Sequence, residues 1–147
     1  ISEIDNLNPK ILPFNTILEN LKHPDSKVRE SAANLIKVYK LEEINKIFND
    51  ILRLLEDKSE DVRKSMINSL VLIINEIGLK NLLNRLLQNL SDEVSLDLQR
   101  SVATILKRTA KYSNEDIKKR IIALLKIRCE MSQDPIICDA FHQIKES

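Results

Sequence analysis

Cys138 and His142 stand four residues apart, a spacing that puts both on one face of a helix, and Cys129 precedes Cys138 by nine. Thiolate and imidazole are metal ligands, so the trio raises the question of a zinc site. The spacing matches no familiar zinc pattern and no fourth ligand is evident, which favours two buried thiols beside a surface histidine. The other histidine, His23, adjoins Pro24 in a predicted turn, where capping or solvation is its expected role. Nucleophilic or acid–base catalysis needs a nucleophile with its base, or a carboxylate pair, and none converges here. A single glycine, Gly78, rules out a Gly-rich phosphate loop. The residues therefore predict no enzyme, no cofactor and no metal.

The remaining polar chemistry is charge. Residues 1–78 hold 11 Lys/Arg against 13 Asp/Glu, and residues 79–147 hold 12 against 9, so a net charge of +1 hides an asymmetry. Between 98 and 128 nine cations face only Glu115 and Asp116. That local excess is the electrostatic feature a partner would meet.

The elements that must position these groups are helices. A chain of 147 residues with 43% hydrophobic residues can bury a core, and its Leu/Ile/Lys/Glu-rich, Gly-poor mixture favours helix. Apolar spacings of three and four predict helices at 10–22, 26–39, 42–56, 60–77, 79–90, 94–112, 115–131 and 135–146. Asp25, Ser59 and Asn114 are positioned to cap helix starts, Gly78 to end one, and Pro9, Pro13, Pro24 and Pro135 to mark starts or turns. The helix at 60–77 is apolar on more than one narrow stripe and must be buried on two or more sides. No apolar run approaches the roughly 20 residues of a membrane span, no signal segment opens the chain, and two cysteines do not make a secreted disulfide scaffold. A cytoplasmic protein, or a nuclear one if eukaryotic, is expected; the start at Ile1 suggests a piece of something longer.

The chain also repeats. Leu21–Ser31 aligns without gaps on Leu55–Ser65 at an offset of 34; a third copy runs from Leu90 to Ser101 and a weaker fourth covers 136–144. Leucine, an acidic or proline-bearing turn, Val-Arg and then small residues make a pattern that resembles the HEAT-repeat, armadillo-like family. The resemblance implies an all-α solenoid of about four antiparallel helix pairs, one domain over 1–147 with repeats near 10–39, 42–78, 79–112 and 114–147. It further implies a structural ladder of turn aspartates and arginines, Asp25 and Asp57 with Arg29 and Arg63.

In such stacks the second helix of each pair lines a concave face, so equivalent positions form rows: Glu30, Lys64, Arg100; Asn34, Asn68, Thr104; Lys37, Val71, Lys107. The expected function is a protein-interaction scaffold that binds an acidic or helical partner segment there, through Asn34, Lys37, Lys64, Asn68, Arg100, Thr104, Lys107, Arg108 and Lys111. The alternative is nucleic-acid association through the basic stretch 98–128; against it stand near neutrality and few aromatics for base stacking. No membrane partner is expected.

Overall fold

A computed structural model describes residues 13–147. The start of the predicted first helix, with Pro9, lies outside the described residues. Among those described, every regular element is helical: α1 (Phe14–Leu21), α2 (Ser26–Leu35), α3 (Leu41–Lys46), α4 (Phe48–Leu55), α5 (Glu60–Ile77), α6 (Leu83–Leu87), α7 (Leu96–Thr109), α8 (Glu115–Ser132) and α9 (Pro135–Glu146), with 3-10 turns at Ile36–Val38, Leu79–Asn81 and Ala110–Tyr112. None is long and apolar enough to cross a membrane.

Local chemistry explains most boundaries. The Asp25 carboxylate accepts from the Lys27 amide at 2.9 Å and the Asn114 side chain from the Ile117 amide at 2.9 Å, satisfying N–H groups that a first helical turn leaves orphaned. Ser95 Oγ accepts from Leu98 N at 3.1 Å, which starts α7 two residues later than apolar spacing predicts. Two predicted helices differ more. The span 42–56 is broken at Ile47, whose ψ of 16° leaves the helical region. Periodicity cannot see this break, because Ile44, Ile47, Phe48 and Ile51, all buried, keep their three-and-four spacing through it. The span 79–90 holds only five α-helical residues, since Gly78, at φ +92°, redirects the chain into a 3-10 turn.

The chain divides into two compact units, 1–69 and 70–147, with the division inside α5. In the first, α1 and α2 run antiparallel: Phe14 at the start of α1 meets Tyr39, beyond the end of α2, edge-on at 6.1 Å. Ile17, Ile36, Phe48, Ile51 and Leu55 form a fully buried core. Ala33 is small enough to let α5 approach, and its carbonyl accepts from Ser69 Oγ at 2.5 Å.

In the second unit α9 packs on both α7 and α8. Arg100 pairs with Asp134 and Lys107 with Asp139, so α7 and α9 run parallel. Lys118 Nζ, near the start of α8, donates to the carbonyl of Ser147 beyond α9, so α8 and α9 are antiparallel. Gln133, left-handed at φ 52°, makes the reversal between them. This hairpin corrects the expectation of two buried thiols: it brings Cys129 and Cys138 to a Cα–Cα distance of 4.8 Å, and they form a disulfide. The cysteine count consequently no longer argues for a reducing compartment.

Candidate binding site

Carboxylate–guanidinium ties organise both units. Arg29, buried, donates through Nε and a terminal nitrogen to the two oxygens of Asp57 at 2.8 and 3.1 Å, and through its other terminal nitrogen to the carbonyls of His23 and Pro24. Burial opposes ionisation of Asp57, but the hydrogen bonds from Arg29 and from the Ser59 amide outweigh it and hold the carboxyl below its ordinary range. The hydrogen bond to Asp57 in turn raises Arg29. Arg63 does not join this pair; it donates to the Asp57 carbonyl. Asp25 spends its carboxylate on the helix cap.

The second unit repeats the device with different residues. Arg100 Nε and a terminal nitrogen reach Asp134 Oδ1 at 2.8 and 2.6 Å. Asp134, 4% exposed, also caps α9 by accepting from Ile136 and Ile137. Desolvation pushes against its charge, and Arg100 with the two amides overcomes it, leaving its pKa lowered. Sequence alignment places Gln99 opposite Arg29 and Arg63, so it misses this tie by one residue. The available signal is Asp134 itself, directly before the proline that opens α9.

The residues expected to contact a partner fall into two groups. In the first unit Asn34, Lys37, Lys64 and Asn68 are exposed, and Lys64 lies 3.6 Å from Glu60 one turn before it. In the second, Arg100 is engaged by Asp134 and Asp97, and Lys107 by Asp139 at 3.2 Å. Gln143 and then Lys107 lower the pKa of Asp139. Thr104 Oγ1 donates to the Arg100 carbonyl. Arg108 and Lys111 are exposed, and the Lys111 ammonium sits 5.1 Å above the Tyr112 ring. Val71, placed in one surface row by alignment, is buried instead. Of the groups first considered for chemistry, His23 Nδ1 accepts from the Asp25 amide, and Cys138 is bound to Cys129. Among the described residues no three His, Cys, Asp or Glu side chains gather as they would around a metal ion.

The second unit also holds a cavity of about 560 Å³, lined in part by Tyr112, the residue that follows Lys111. Its walls come from the last turn of α5, the Gly78 bend and the α7–α8 junction. Ile74, Leu79 and Ile117 supply apolar surface; Asn75, Lys80, Tyr112, Ser113 and Asn114 supply the polar part. Ser113 Oγ donates to Ala110 O and Asn114 caps α8, so these two are already engaged. Lys80 is the one charged residue in the lining, and it has no carboxylate partner among the described residues. Tyr112, 75% exposed, adds an aromatic surface. A site of this size, with apolar walls and a few polar groups, suits one anchoring side chain or a small amphipathic group. Sequence reading missed it because its residues come from three separate elements brought together by the Gly78 bend.

Searches of curated proteins and of solved structures find no match to the chain. A family model does match, over residues 3–81, which is more than half of the sequence. It is not a HEAT or armadillo model, and the resemblance drawn from Leu21–Ser31 and Leu55–Ser65 is corrected accordingly. What the pattern does encode in this chain is a way of joining helices, with a turn carboxylate, Asp57, holding an arginine, Arg29. The chain belongs to the AF0941-like family.

Proposed function

We propose that the protein is a non-catalytic interaction module that holds a short acidic segment of a partner protein, with the cavity beside Gly78 as its anchor site. The observation that carries this reading is the cavity's composition: apolar walls, an exposed tyrosine and one lysine that has no carboxylate partner among the described residues. An apolar side chain would fill the space while a neighbouring carboxylate meets Lys80, with Lys111 close by in sequence. Within each unit, antiparallel helix pairs and parallel second helices joined by an Arg–Asp tie support reading the chain as a short α-solenoid, a form suited to binding.

The nucleic-acid alternative is weakened by the engagement of its cations. Arg100 and Lys107 hold carboxylates, Lys118 a carbonyl and Arg120 an amide, so at least four of the nine already have partners within the fold. Selection of peptides from a random displayed library on the intact chain tests the proposal. Enriched peptides are expected to pair an apolar residue with Asp or Glu, and to lose at least tenfold in affinity against Lys80→Glu. A pool with no acidic bias, or one indifferent to Lys80→Glu, would sink it.

A further inference from the structure

We infer that the second unit carries another docking surface, a groove between α6 and α8 that takes an amphipathic partner helix bearing a carboxylate. The groove encloses about 570 Å³ and is lined by Leu87, Ala123, Leu124 and Ile127, with Asn84, Gln88 and Arg120 as its polar groups. α8 explains why it stays open. The helix buries only Ile121 and Leu125 fully, leaving Ile127 49% and Met131 68% exposed. Leu124, Ile127 and Met131 are spaced by three and four, so they form one stripe along a side of the helix. At 1.5 Å rise per residue the stripe is about 10 Å long, two turns of a helix laid alongside. Helix-in-groove recognition uses apolar anchors at that spacing.

Charge selects among occupants. Arg120 is the one charged residue of the lining, and its guanidinium donates to Asn84 Oδ1 at 2.8 Å with no carboxylate in reach among the described residues. Covering it with an apolar or basic surface would strip water from an uncompensated cation, whereas a carboxylate on the incoming helix would pair with it. α8 as a whole carries five Lys/Arg against three Asp/Glu. A second copy of this chain docking through its own α8 would therefore bring like charge to like, and an acidic helix from another protein is the occupant that fits.

The test uses two synthetic helical peptides of about four turns, identical in a leucine stripe of three-and-four spacing and differing only in Glu or Lys on its flanks. Fluorescence anisotropy with the intact chain should show the Glu peptide binding at least tenfold more tightly. Arg120→Glu should reverse the preference and Ile127→Asp should weaken both peptides tenfold; each position is exposed, so circular dichroism should stay unchanged. Lys80→Glu should leave the preference intact, which separates this groove from the cavity. Failure of the Glu peptide to bind, equal binding of the two, indifference to Arg120→Glu, or a self-associating chain that Ile127→Asp makes monomeric would each overturn the inference.

Discussion

Single side chains in this protein are decided by what burial demands of them. Asp57 and Asp134 must be ionised to hold Arg29 and Arg100, and each has a pKa below the ordinary carboxylate value. A depressed folded-state pKa contributes stability that is present above the unfolded pKa, about 4, and lost as pH falls through the lower folded value. Acid titration followed by circular dichroism should therefore show destabilisation beginning below about pH 4, and Asp57→Asn with Asp134→Asn should flatten that fall while lowering stability at neutral pH. Arg100→Ala leaves Asp134 buried with its amides alone; because Arg100 is itself partly exposed, urea denaturation should record a loss of about 1–2 kcal/mol. Lys64→Ala, which removes only an exposed pair with Glu60, should change stability by less than about 0.5 kcal/mol. The arginine of the first tie was legible in the repeat. The second was not, because Arg100 reaches its carboxylate from a position one residue along the helix.

Elements depend on turns as much as on apolar spacing. Helix α5 is readable over its whole length because its first turn is acidic and its apolar residues are dense enough to require burial. The region after it is not, since one backbone angle at Gly78 turns a leucine-rich stretch away from helix. A side chain there would be strained at φ +92°, so Gly78→Ala should lower stability by about 1–3 kcal/mol in thermal denaturation and perturb the cavity it lines. The α8–α9 hairpin is closed by the Cys129–Cys138 bridge over a separation of nine residues. Loop-closure entropy for so short a loop gives about 2–3 kcal/mol, the loss expected for Cys129→Ser with Cys138→Ser. Alkylation of the unfolded, unreduced protein should label no thiol; two labelled cysteines would refute the bridge.

At the scale of the whole molecule, helical class follows from composition and period, and both act locally. Each residue's preference and the three-and-four spacing of Leu and Ile are properties of neighbours along the chain, so they can be read without knowing what lies across the core. A labelled DNA duplex is expected to show no saturable binding at low salt, because the basic stretch 98–128 is partly satisfied by Asp134, Asp139, Asn84 and Ser147. Steep, salt-dependent binding would favour nucleic acid over a protein partner. The amino-acid order by itself determined the all-helical class, long helices such as α5 and α8, and the local charge excess that singles out the second half. Only the tertiary structure decided which cations remain for a partner, that Cys129 and Cys138 join, and that cavities open beside Gly78 and along α8. Those outcomes depend on side chains as much as 36 residues apart meeting across packed helices, as Arg120 meets Asn84, and no local preference records which pairs will meet.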